Sequence, residues 1–65
     1  MTNYQIAKST LKTISLDAKN EHRNDKPMIR MIINDSVDSI SRDLRLDVYD
    51  SNRLSDYACT LHPKD

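Results

Sequence analysis

The chain contains no glycine, no tryptophan and no phenylalanine, and it has a single cysteine among its 65 residues. Each scarcity excludes something. One cysteine cannot close an internal disulfide, and with two histidines it leaves the chain without zinc-finger spacing. Average usage of glycine is about 7%, so roughly four or five would be expected in a chain of this length. Tight hairpin turns mostly need a positive φ, which glycine supplies most cheaply, so a fold made of several hairpins is disfavoured. A phosphate-cradling glycine-rich loop is excluded in its usual form. The longest apolar run falls far short of the ~18 residues that span a membrane, and no signal-peptide core is present, so a cytoplasmic protein is expected.

Without the two largest aromatics, the core has to be built from Ile, Leu, Val, Met and three tyrosines. A chain this short buries only about 60% of its unfolded surface. Self-association as a homodimer is therefore an expected source of additional buried area. Lys+Arg and Asp+Glu balance at ten each, but residues 1–30 carry a net +3 and residues 31–65 a net −3. That polarity suits an intramolecular embrace, a head-to-tail association or a modestly basic face.

Apolar spacing then gives the fold class. From Pro27, Ile29, Ile33, Val37, Ile40 and Leu44 recur at helical intervals and fall within roughly 80° of one another. Tyr4, Ala7, Leu11, Ile14 and Ala18 form a similar seam behind Thr2 and Gln5, which fit a capping box. Leu54, Tyr57, Ala58 and Leu61 form a third, ended by Pro63. The expected architecture is all-α, a compact single domain over residues 1–65 with helices at about 3–20, 27–44 and 51–62. The alternating run Leu44-Arg45-Leu46-Asp47-Val48 is expected to be an extended connector, at 45–50, that pins Leu46 and Val48 onto the helices. The third helix would be capped by Asp50 or Ser51.

Catalytic patterns are weak. Cys59 and His62 are three apart, close enough to share a metal, but zinc wants three or four ligands. No glycine-bearing nucleophile elbow accompanies the serines, and no carboxylate pair stands out at acid–base spacing. A non-enzymatic protein with neither cofactor nor metal is expected. Two surfaces are candidates for binding. The apolar opening of the second helix, Met28, Met31 and Ile32, exceeds what one buried face requires and suits a protein interface or homodimer seam. Lys8, Lys12, Lys19 and Arg23 lie within about 60° on one continuous helix and suit nucleic-acid phosphates, with a log–log salt slope near −3.6 for four contacts. No aromatics interleave with those cations along the sequence, which argues against single-stranded targets. A helix-turn-helix is disfavoured by a connection of about six residues passing Asp47 and Asp50, and by Asp56 on the would-be recognition helix.

The segment NEHRNDKPMIRMIINDSVDSISRDL, in a glycine-free chain of this size, resembles the small early-region products of lambda-like temperate phages. The nearest group is the one encoded between the recombination genes and the excisionase gene. The resemblance covers about the first two-thirds of the chain and rests on general character. It implies an accessory protein that biases phage development or host physiology through protein contacts, and it carries over no catalytic or binding residue.

Overall fold

Thr2 starts the first helix with a reciprocal pair of hydrogen bonds. Its Oγ1 accepts from the Gln5 N–H at 3.2 Å, and its own N–H donates to Gln5 Oε1 at 3.0 Å. The computed structural model describes residues 2–64 and places three helices there: α1 (Asn3–Glu21), α2 (Lys26–Asp43) and α3 (Val48–Leu61). A short turn, in which the Asp25 N–H donates to the His22 carbonyl, separates α1 from α2. Asp25 then caps α2 by accepting from the Met28 N–H at 3.1 Å, and Pro27 occupies the first turn, where no backbone donor is needed. Lys19 and Arg42 sit in the last turns of α1 and α2, where the helix dipole favours cations.

The chain runs up, down and up. The Asn3 side-chain amide donates to the Leu44 carbonyl at 3.1 Å, joining the start of α1 to the end of α2. At the opposite end, Arg30 donates to the Pro63 carbonyl at 3.3 Å and His62 Nε2 lies 2.9 Å from Asn34 Oδ1, joining the start of α2 to the end of α3. Each helix packs against both others, in a body of 34 × 17 × 16 Å. The core is a single cluster made from the three expected stripes: Ala7, Leu11 and Ala18 of α1, Ile29, Ile33, Val37 and Ile40 of α2, and Leu54 and Ala58 of α3. Tyr4, Ile14, Leu44, Tyr57 and Leu61 are partly buried at its margin. Ser15 is fully buried and returns its hydroxyl to the Lys12 carbonyl at 2.8 Å, so burial strands no polar atom there.

The connector corrects an expectation. Residues 45–50 are not one extended segment: Arg45 is left-handed, Asp47 is extended and Val48 to Asp50 are helical. Asp47 caps α3, accepting from the Asp50 N–H at 2.7 Å, so the helix begins at Val48, three residues earlier than the apolar spacing indicated. A carboxylate that satisfies an orphan N–H outweighs the strand-like alternation around it. Leu46 packs against the core as expected, whereas Val48 is 78% exposed on the first turn of α3 and pins nothing.

Ending α2 without glycine takes an unusual residue. Arg45 adopts φ 52°, the left-handed region, among the described residues the one non-glycine with positive φ. The Arg45 N–H donates to the Arg42 carbonyl at 3.2 Å and the Leu46 N–H to the Ser41 carbonyl at 2.9 Å, which is the Schellman arrangement. A side chain with a Cβ pays roughly 1–2 kcal/mol for that conformation. Arg45→Gly is therefore expected to stabilise the fold by a net ~0.5–1 kcal/mol after the extra backbone entropy of glycine is deducted. Thermal melting followed by circular dichroism checks this through a rise in Tm of roughly 2–8 °C. An unchanged or lower Tm would mean that the Arg45 side chain repays its strain elsewhere.

Candidate functional site

The basic residues of the N-terminal half are only partly brought together. Lys8, Lys12 and Lys19 project from α1, with Lys19 half-buried. Arg23 lies beyond Glu21, where the helix has ended, so the angular spacing that aligned it with the lysines does not reach it. Four cations on one rod become three, because the polar segment 19–26 starts the turn at His22.

The surface gains more from α3 than it loses at Arg23. Tyr49, Arg53 and Tyr57 recur at i, i+4 and i+8 along α3, on the side that meets α1. The Lys8 ammonium sits 4.9 Å from the centre of the Tyr57 ring. The Arg53 guanidinium lies 4.1 Å from the Tyr4 ring and 5.5 Å from the Tyr49 ring, and its Nη1 is 3.6 Å from Asp50 Oδ1. All three aromatic residues of the chain thus gather with Lys8 and Arg53 along the α1–α3 seam. Along α1 no aromatic lies between the cations, although Tyr4 is one turn before Lys8; across the seam Tyr49 and Tyr57 join them. Beside this row runs an open groove of about 410 Å³, lined by Gln5, Lys8, Ser9, Lys12 and Tyr57. Each exposed cation–π contact contributes about 0.5–1 kcal/mol. Part of the arrangement therefore holds α3 against α1, while Tyr49, 70% exposed, offers most of its surface outward.

The row was missed in the sequence because Tyr49 fell in the supposed connector. With α3 begun at Val48, the four-residue spacing of Tyr49, Arg53 and Tyr57 becomes visible as one face.

Met28, Met31 and Ile32 do not form one exposed patch. Ile32 packs against the core cluster, Met28 is half-buried, and Met31 is 50% exposed. The excess apolar content at the start of α2 is thus divided between core and surface. Cys59 is exposed, and the His62 ring is engaged with Asn34, so that pair does not converge on a shared point. Among the described residues no three His, Cys, Asp or Glu side chains are grouped to hold a metal ion.

A second, larger groove of about 620 Å³ runs between α2 and α3. Its lining mixes Asp38 with Arg42 and Arg45 and with the hydroxyls of Ser51 and Ser55. Ser41, at its edge, has a buried Oγ with no hydrogen-bond partner among the described residues. The α2–α3 turn, Leu44 to Asp47, is shorter than the six residues expected and falls within the range of a helix-turn-helix. The acidic residues Asp47, Asp50 and Asp56 nonetheless remain on or beside α3.

Comparison of the chain with protein-family models, curated proteins and solved structures finds no match. Among the described residues, no helix is long and apolar enough to cross a membrane.

Proposed function

We propose that this chain is a non-enzymatic interaction protein, working in the cytoplasm, that docks a partner protein on its α1–α3 face. The observation that supports this reading is the joining of Tyr4, Tyr49 and Tyr57 with Arg53 and Lys8 on one side of the bundle. Tyrosine and arginine dominate the energetics of protein interfaces: tyrosine offers a large rigid ring with a polar end, and arginine a planar guanidinium that stacks and donates several hydrogen bonds. A regulatory accessory role, in phage development or in the physiology of a phage's host, agrees with the resemblance of the first two-thirds of the chain.

DNA binding through Lys8, Lys12, Lys19 and Arg23 is the second reading, and the geometry weakens it. Arg23 is off the helix, Lys19 is half-buried and the charge of Arg53 is shared with Asp50. Lys8 and Lys12 line the groove, and two phosphate contacts give a salt slope near −1.8, about half that of four.

Affinity purification of the tagged chain from cells that naturally make it, beside a Tyr49→Ala variant, tests the proposal. A protein recovered in stoichiometric amount with the wild type should bind the variant roughly tenfold or more weakly, as for an aromatic anchor, with the helical spectrum unchanged. Binding to duplex DNA, followed by fluorescence anisotropy at two salt concentrations, should be absent. Salt-sensitive duplex binding that disappears in Lys8→Glu would replace the protein reading with the DNA one.

A further inference from the structure

We propose that the occupant of the α1–α3 groove includes a second copy of this chain, which inserts the outer face of its α2. The inference rests on the reading of the α1–α3 face as a protein-docking surface and names a partner for it.

Met31, Asp35 and Asp38 recur at i, i+4 and i+7 on α2, all exposed, on the side opposite the buried Ile29, Ile33, Val37 and Ile40. Among the described residues neither carboxylate has an ion-pair partner. The groove presents the complementary set. Lys8 and Lys12 are exposed, one turn apart on α1, with the Tyr57 ring between α1 and α3 beside them. Lys12 likewise has no ion-pair partner among the described residues. Residues three or four apart on a helix hold their Cβ atoms about 5–6 Å apart, so the carboxylate pair matches the ammonium pair in spacing as well as sign. Met31, one turn before Asp35, would then reach the tyrosine edge, a favourable thioether–aromatic contact. Asp38 stands at the rim of the α2–α3 groove, where Arg42 and Arg45 also lie, and those two cations limit the stripe to these three residues.

Because each helix packs against both others, the outer face of α2 lies across the bundle from the α1–α3 seam. A single copy cannot bring its own two faces together. The contact is therefore head-to-tail and does not close as a two-fold dimer; copies add end to end or around a ring. A stripe of three residues meeting a groove lined by Gln5, Lys8, Ser9, Lys12 and Tyr57 falls well short of the roughly 20–30 residues a side of a stable interface. The association is accordingly weak, concentration-dependent and sensitive to salt.

Sedimentation equilibrium of the full chain at low and high salt, with paired charge reversals, tests the proposal. At low salt the average mass should climb above the 7.5 kDa of one chain as concentration rises, and return to it at high salt. The double variants Lys8→Glu with Lys12→Glu, and Asp35→Lys with Asp38→Lys, should each associate about tenfold or more weakly, since like charges then face each other. Mixing the two variants should restore association, because the acidic stripe of one meets the native groove of the other and the reversed stripe meets the reversed groove with the signs exchanged. A wild type that stays a single chain, association indifferent to both reversals, or variants that fail to combine would each overturn the proposal. If a reversal disturbs the helical spectrum, the amide variants Lys8→Gln with Lys12→Gln and Asp35→Asn with Asp38→Asn take its place. A wild type that is a single chain yet loses another protein on Tyr49→Ala would sink the self-association alone and leave the docking face standing.

Discussion

Leu54→Ala should lower the Tm by roughly 8–40 °C and release α3 first. The reason is how few side chains α3 commits to the interior. Of its 14 residues only Leu54 and Ala58 are fully buried, against three apolar core residues of α1 and four of α2. Leu11, Ile33 and Leu54, one from each helix, have no exposed surface and are the largest apolar side chains at the centre of the bundle. Truncating a buried leucine to alanine removes about 2–5 kcal/mol, the transfer free energy of the lost carbons plus the cavity they leave. A domain of this length has about 3–10 kcal/mol in total. The single change therefore consumes much of the stability. Hydrogen exchange checks the order of events: amides of α3 should lose protection before those of α1 and α2. Uniform loss across all three helices would instead mean that the bundle opens as one unit.

How much was legible in the sequence follows from which interactions are local in spacing. The three buried stripes were, because burial on one side of a helix imposes its period directly on the residues. So was the Thr2–Gln5 cap, whose two halves lie within one turn. The start of α3 was not, because the alternation of Leu44, Leu46 and Val48 imitates a strand while the decisive atom is a single Asp47 carboxylate. The left-handed Arg45 was hidden for a related reason: a Schellman turn is ordinarily signalled by glycine, and this chain has none. The candidate surface was legible in halves. Lys8 and Lys12 could be grouped from their own helix, but Tyr57 and Arg53 join them only through the packing of α3 on α1, which no spacing within α1 encodes. Met28, Met31 and Ile32 show the reverse case. They are grouped in sequence, and the bundle separates them by burial, since Ile32 turns toward the core and Met31 toward solvent.

That separation also bears on stability. With five large apolar residues at least 38% exposed among the described residues, this bundle relies on close approach of its helices more than on the number of greasy side chains it buries. Small residues permit the approach. Ala7 and Ala18 on α1 and Ala58 on α3 are all within the core, at 0%, 4% and 1% exposure. Dispersion attraction falls off steeply with separation, so a gap of 0.5–1 Å already forfeits about a quarter to a half of each contact.

Ala58→Leu should therefore destabilise the protein although it adds apolar surface. Three extra carbons enter a site with no room for them, and overpacking of this kind costs about 1–3 kcal/mol through displaced backbone and off-rotamer side chains. The expected fall in Tm is roughly 4–24 °C. The displacement should also be felt across the seam, because α3 carries Tyr57 and Arg53 to their partners on α1. Moving α3 outward lengthens the Lys8–Tyr57 and Arg53–Tyr4 contacts, now 4.9 and 4.1 Å. Ring-current shifts at the Lys8 ε-methylene and the Arg53 δ-methylene should shrink accordingly in the NMR spectrum. Leu54 and Ala58 are one turn apart on the same face, so the two substitutions are close enough to couple. The double variant Leu54→Ala with Ala58→Leu returns the lost volume to the interior and should be more stable than the sum of the single effects predicts. Strict additivity would show that the two sites open separate spaces, and that α3 is held by contacts along its length rather than by one shared cavity at its centre.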